Sequence, residues 1–344
     1  LAAGTMLSSG ESGGKGRQTV GRETKISWCH HTFSPWLGCS KVSPGCANCY
    51  AEAENIRYGR RNLWGPDAIR QRTSEAYWKQ PLKWNAAAEN AGERRRVFCG
   101  SWCDVMEEGA YLDTIRKDDL YELILRTPWL TWLLLTKRPE NFSKFLPAEW
   151  LKNPRPNVWL GTTAEDQQRA DERIPHLLRT PAAVRFLSSE PLLEALRLWR
   201  LTALDYHENT IGYETYPLSG MQAIPDCDWP HPKLDLVIVG GESGPRARPC
   251  NIAWIRSIVQ QCAAAGVACW VKQLGAHIID RNDVGFEGDA PHSWPMDTRT
   301  EDLDSGYQGA PVRVHLRDRK GADMEEWPAD LRVRQLPPEL ERIT

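Results

Sequence analysis

The feature that most constrains this chain is a rhythm. Six apolar runs of five to seven residues recur along it: VFCGS at 97–101, LTWLLLT at 130–136, VWLGT at 158–162, VRFLSS at 184–189, DLVIVG at 235–240 and ACWVK at 268–272. Between them lie segments with helical spacing. Residues 113–126 place Leu120, Leu123 and Ile124 on one stripe, and residues 166–178 do the same with Ile174, Leu177 and Leu178. Residues 251–265 start at Asn251, a natural N-cap, and stop at Gly266. Near-continuous apolar strands alternating with amphipathic helices predict an α/β protein built on a parallel sheet. No Gly-rich phosphate fingerprint follows the first strand-like stretch, at 26–39, which argues against a dinucleotide-binding fold. A partial or complete TIM-type (β/α) barrel is the expected architecture.

The boundaries follow from where the rhythm fails. Residues 1–24 are rich in Gly and Ser, lack the apolar stretch of a secretory signal, and read as a disordered leader. The barrel is expected over 25–275. Residues 202–234, with His207, Gly212, Pro217, Gly220, Pro225, Pro230 and Pro232, read as a lid or an insertion. Residues 276–344 are polar, dotted with prolines, and expected to be an irregular extension. Residues 64–90 also read as irregular. The net charge of −2 gives no overall drive toward nucleic acid, and no apolar run approaches the ~20 residues of a spanning helix. A cytoplasmic protein with no membrane partner is the expectation. The 16 Trp imply a core built largely on rings.

In a parallel barrel the chemistry gathers at the carboxyl ends of the strands. Those ends are polar here. VFCGS ends in Ser101 and leads to Cys103 and Asp104. LTWLLLT leads to Lys137 and Arg138, VWLGT to Thr163 and Glu165, and VRFLSS to Glu190. DLVIVG leads to Gly241, Glu242 and Ser243, and ACWV to Lys272 and Gln273. Any one of these could simply begin a loop. Three glutamates and two lysines meeting at one mouth would be costly to bury without a polar ligand.

Ten Cys in a cytosolic chain are expected to be mostly reduced. Most are scattered and read as small buried hydrophobes. Cys39, Cys46 and Cys49 are different, because six and then two residues separate them on a loop rich in turn formers (Ser40, Ser43, Pro44, Gly45). Three thiolates suit zinc or an iron–sulfur cluster. Zinc would want a fourth ligand, which His30, His31, Cys29 or Cys103 could supply. A 4Fe-4S cluster on three cysteines would leave one iron open for chemistry, and the loop's position at the first strand's carboxyl end favours that reading. His30 and His31 read better as packing residues than as ligands.

The runs WLGCSKVSPGCANCYAE, LLTKRPENF, NVWLGTTAEDQQRAD, RIPHLLRTPAAVRFLSSEPLL, LVIVGGESGPRARP and VKQLG together resemble the phage Gp37/Gp68 family, whose members are radical-SAM-like proteins with a three-cysteine motif. The resemblance covers roughly 25–275, interrupted at 202–234. It implies a 4Fe-4S cluster on Cys39, Cys46 and Cys49, with S-adenosylmethionine (SAM) on the open iron. Gly240, Gly241, Glu242, Ser243, Ser101, Tyr50, Gln273 and Arg138 are then candidates for holding SAM, and Lys137, Glu190 and Lys272 for catalysis, with Asp104 and Glu165 as further candidates. The spacing departs from the commoner C-x3-C-x2-C pattern, and Asn48, not an aromatic, precedes Cys49, with Tyr50 just after it. An electron donor of the flavodoxin or ferredoxin type is implied as a partner, in a phage-infected or prophage-bearing host. One expected reaction is isomerisation of a modified thymine in phage DNA. Arg57, Arg60, Arg61, Arg70 and Arg72, interleaved with Trp64 and Tyr77, would form the stacking and phosphate surface for it. The competing expectation is a non-catalytic phage or bacterial binding module with a structural zinc.

Overall fold

The structure, a computed structural model, describes residues 24–59, 63–202, 214–222, 232–280, 294–295, 297–303 and 311–338. Seven strands form one sheet: β1 (His31–Phe33), β2 (Arg95–Cys99), β3 (Leu130–Thr136), β4 (Val158–Thr163), β5 (Val184–Ser189), β6 (Leu236–Gly240) and β7 (Ala268–Gln273). Their order in the sheet is their order in the chain, and every pairing is parallel. Right-handed crossovers that always step the same way put the helices on one face. The sheet accordingly curls into a half-barrel, a partial β/α barrel of mixed α/β class.

Five helices matter for the site. They are α1 (Tyr50–Arg57), α2 (Gln80–Ala91), α3 (Ala110–Thr114, a wider π stretch Ile115–Leu120, then Tyr121–Leu125), α4 (Gln167–Arg179) and α5 (Ile252–Ala265). Asp166 caps α4 by accepting from the Arg169 N–H at 2.8 Å, and Asn251 caps α5 from Ala253 at 3.0 Å. Gly266 ends α5 at φ 63°. Helix α2 corrects the expectation of irregular chain over 64–90. Pro81 sits in its first turn, where its missing N–H costs nothing, Trp84 and Ala88 face the core, and Gly92 stops it at φ 66°. Its apolar face is only three residues wide, too sparse to stand out as a helical period.

Side chains alternate across the sheet. Val97, Cys99, Trp132, Leu134, Leu160, Leu187, Val237, Val239, Cys269 and Val271 pack in the larger core with residues of the helices. Phe98, Leu133, Trp159, Phe186, Ile238 and Trp270 form a second core with Trp28, filling the concave face. The Trp28 ring lies 4.9 Å from Phe98 and 6.5 Å from Phe186, centroid to centroid. Trp270 on the last strand donates its indole N–H to Ser27 Oγ at 3.1 Å, so the segment before β1 reaches across to β7. Gly161 makes room for this plug, because a Cβ there would stand 2.3 Å from the Phe186 ring.

The free edge of β7 is covered. Val271 donates to the Val333 carbonyl and Gln335 to the Cys269 carbonyl, both at 2.8 Å, with Trp270 and Arg334 paired antiparallel. Within the extension, Ile278–Asp280, Val312–His315 and Arg299–Asp302 join Cys250–Asn251 in a four-stranded sheet. In the 202–234 insertion, Glu214–Tyr216 pairs antiparallel with Leu201–Thr202 and Met221–Gln222. Its residues 203–213 and 223–231, including His207, Gly212, Pro225 and Pro230, lie outside the described residues, as does the expected leader up to 23.

The Gly161–Phe186 contact gives a direct test. Gly161→Ala should cost ~1–3 kcal/mol through overpacking, and Phe186→Leu in the same chain should recover part of it. Thermal denaturation of the two single variants and the pair checks this; strictly additive losses would mean that the ring does not own that space.

Candidate functional site

The loop between Cys39 and Cys49 has almost no regular structure of its own, only a 3-10 turn at Pro44–Cys46. It leaves a two-residue strand, Trp36–Leu37, which pairs with Gln71–Arg72. Gly38 then turns it at φ 104°, with any Cβ only 2.2 Å from the Leu63 carbonyl oxygen, a position that only glycine fits. The loop ends in α1, whose Ala53 N–H bonds the Cys49 carbonyl at 3.0 Å. Cys39 and Cys49 pack against a small cluster of Ala51, Leu63, Trp64 and Trp102.

The rim of the half-barrel gives the loop its shape. After β2, the Glu107 carboxylate accepts from the Ser40 N–H at 3.0 Å and its hydroxyl at 2.9 Å. Arg70 grips the same carboxylate with two N–H groups, at 2.9 and 2.8 Å. Arg138, just past β3, donates to Asp104 Oδ2 at 2.8 Å, to the Ser40 carbonyl at 3.0 Å and to Cys39 Sγ at 3.8 Å. After β4, Glu165 accepts from the Gly45 N–H and from Arg173, each at 2.9 Å. Gly45 must lack a side chain here, since a Cβ would meet the Glu165 carboxylate at 2.9 Å. After β6, Glu242 is gripped by Arg248 at 2.7 and 3.0 Å and accepts from the Asn48 amide at 3.0 Å. Arg248 also donates to the Pro44 carbonyl at 2.9 Å. Four carboxylate–guanidinium pairs from three strand ends thus hold one loop, through both its backbone and its side chains.

The three sulfurs are left free of any disulfide. The Cys39 sulfur is enclosed, and burial pushes its thiol up to about 12, with Asp104 adding to the shift and Arg138 opposing it. Among the described residues, no three His, Cys, Asp or Glu side chains are gathered closely enough for a single metal ion. Cys29 and Cys103 belong to the inner and outer cores, and burial raises both thiols, Cys29 to about 12. Burial lowers His30 and His31 to about 4. His30 accepts from the Arg96 N–H at 2.8 Å, while His31 stacks on Trp84 at 4.3 Å.

The remaining expected site residues divide in two. Arg138, Tyr50 and Glu242 serve the loop, Tyr50 by donating its hydroxyl to the Ser101 carbonyl at 2.6 Å. Glu190 and Lys272 form an ion pair at 2.8 Å across the ends of β5 and β7. Gly240 lies against them, its Cβ position 3.4 Å from Glu190 Oε1 and 3.3 Å from Gln273 Cγ. Gly241 donates its N–H to the Gln273 carbonyl at 3.1 Å and accepts from the Gln273 side-chain amide at 2.9 Å, and a Cβ would strike the Leu274 carbonyl at 2.2 Å. Lys137 is half-buried and helps keep Glu165 ionised, and Ser243 is half-exposed.

Of the expected basic and aromatic surface, Trp64, Arg70, Arg72 and Tyr77 line one cavity, each with partners of its own. Arg70 is buried on Glu107, Arg72 pairs with Asp119 and Glu75, Trp64 is buried, and Tyr77 stacks on Phe33 at 5.1 Å. A guanidinium inside the protein needs a carboxylate more than a surface needs the charge. Arg57 is exposed, while Arg60 and Arg61 lie outside the described residues. Glu107, Arg173, Arg248 and Asn48 were not singled out by their sequence context, which is polar loop or mixed helix.

The model of one family matches residues 23–326. The chain belongs to the DUF5131 family, described as a protein of unknown function. No curated protein and no solved structure matches it.

Burial alone would raise the carboxyls of Asp104, Glu165 and Glu242, but their cations and N–H donors outweigh it and hold all three below the ordinary range. Their stabilisation is therefore complete above the unfolded values near ~4 and is lost as pH falls through the lower folded values. In this DUF5131 protein, Glu165→Gln strands Arg173 and should cost about 3–5 kcal/mol at neutral pH. Urea denaturation should show that deficit shrinking as the wild-type carboxylate protonates at acid pH; a deficit constant across pH would contradict the assignment.

Proposed function

We propose that this DUF5131 protein is a radical SAM enzyme that holds a 4Fe-4S cluster on Cys39, Cys46 and Cys49. The observation that carries the reading is the loop itself: three free thiols at the carboxyl-end rim of a parallel half-barrel, held in shape by four ion pairs that bond the backbone and side chains around them. The donor set fits the group. Cysteines that each bind a different iron need not meet at one point, whereas a zinc ion needs its donors around a single centre. The described residues provide no such centre, which counts against the structural-zinc module.

A cluster held by those cysteines would supply the single electron for reductive carbon–sulfur cleavage of SAM, the chemistry that starts a radical reaction on a substrate. The chain's own residues do the rest. Cys39, Cys46 and Cys49 supply the thiolates. Glu165, through Gly45, and Glu242, through Asn48, keep the loop on the rim. Trp28, Trp159, Phe186 and Trp270 fill the concave face and exclude water from that side. Glu190 and Lys272, 2.8 Å apart, offer matched charges to a zwitterion such as the aminocarboxylate of SAM or to a polar substrate, with Lys137 and Gln273 as further contacts. Rearrangement of a modified thymine needs only that base at the mouth. Arg70 and Arg72 already pair with Glu107 and Asp119. A flavodoxin- or ferredoxin-type partner supplies the electron.

Anaerobic reconstitution with iron and sulfide tests the reading. The wild type should bind about four iron per chain, as a cluster of this type requires, and Cys39→Ala, Cys46→Ala and Cys49→Ala should each lose most of it. Iron-free protein carrying one zinc would overturn the proposal.

A further inference from the structure

We infer that Arg138 sets the reduction potential of the cluster and that Asp104 limits how strongly it does so. This rests on the cluster reading above. Among the described contacts of the three loop sulfurs, that of Arg138 with Cys39 Sγ, at 3.8 Å, is the only one made by a charged group; the others are with the Ser40 carbonyl and the Ser43 hydroxyl. The guanidinium is buried, 9% exposed, so water screens it little. It cannot swing away, because Asp104 Oδ2 at 2.8 Å and the Ser40 carbonyl at 3.0 Å fix two of its nitrogens, and Glu107 stands 3.6 Å away.

Reduction adds one electron, and so one negative charge, to the cluster. A cation that donates a hydrogen bond to a ligand sulfur stabilises the reduced state and raises the potential. Asp104 works against that. Its Oδ1 is held by the Thr136 hydroxyl at 2.6 Å and the Met106 N–H at 3.0 Å, and its Oδ2 by the Lys137 N–H at 3.0 Å, so a negative charge is fixed beside the guanidinium. The two residues therefore pull the potential in opposite directions. Arg138 is a positioning residue in this scheme, acting through Cys39.

The test is a dithionite titration of the anaerobically reconstituted protein, followed by electron paramagnetic resonance of the reduced cluster; one electron passes from dithionite to the cluster and no protein bond changes. Iron content is read first. Arg138→Gln should lower the equilibrium constant for reduction at least tenfold, about 59 mV for a one-electron couple. Arg138→Lys should fall between it and wild type, and Asp104→Asn should raise the constant. Should Arg138→Gln fail to retain iron, Arg138→Lys and Asp104→Asn carry the test by themselves, with circular dichroism to confirm folding. Arg138 and Asp104 variants that shift the same way would show mere loosening of the loop and overturn the inference. So would unchanged potentials in variants with full iron. A wild type that takes up no iron overturns the cluster reading instead, and this inference falls with it.

Discussion

Charge buried in a protein has to be neutralised where it lies, and that requirement gives the cysteine loop its form. The loop has too little regular structure to hold itself. Asp104, Glu107, Glu165 and Glu242 leave the sheet at the ends of β2, β4 and β6, and each meets a guanidinium: Arg138, Arg70, Arg173 and Arg248. Around Ser40, Pro44, Gly45 and Asn48 the hydrogen bonds left over by those pairs go to the loop. The sulfurs are the part of the loop that this network leaves almost untouched, with the single exception of Cys39.

The sheet makes the arrangement possible. Because its strands all run parallel, every carboxyl end opens on the same rim, and residues far apart in sequence become neighbours there. Its concave side is closed by rings, not by a complete barrel wall. Trp28, Phe186 and Trp270 fill it, and Gly161 yields the space for one of them. The last strand avoids an open edge because residues 333–335 pair along it. A ligand bound at the rim would therefore have a dry aromatic floor and a polar wall in which Glu190 and Lys272 form one matched pair.

Much of this was legible in the residues. The runs LTWLLLT and VRFLSS became strands with those same bounds, and the cap Asn251 does what its side chain predicts. The three-cysteine loop and its place after the first strand could also be read directly. What could not be read was the use of the rim. A glutamate following a strand gives no sign of whether it will meet a ligand or a cation, and the deciding partner lies 37 residues away for Glu107 and 34 for Asp104. For the same reason the sequence around Arg70 and Arg72 gave no sign that they would pair with Glu107 and Asp119. Helix α2 escaped notice because Trp84 and Ala88 are nearly its whole apolar stripe.

The claim that ties these features together is that the loop presents a cluster able to break SAM reductively. The most direct measurement is chromatography of an anaerobic mixture of the reconstituted protein, SAM and dithionite. 5′-Deoxyadenosine and methionine should appear in equal amounts and be lost in a protein lacking Cys39, Cys46 and Cys49. Protein that holds its full iron complement, accepts an electron and yet leaves SAM intact would contradict it.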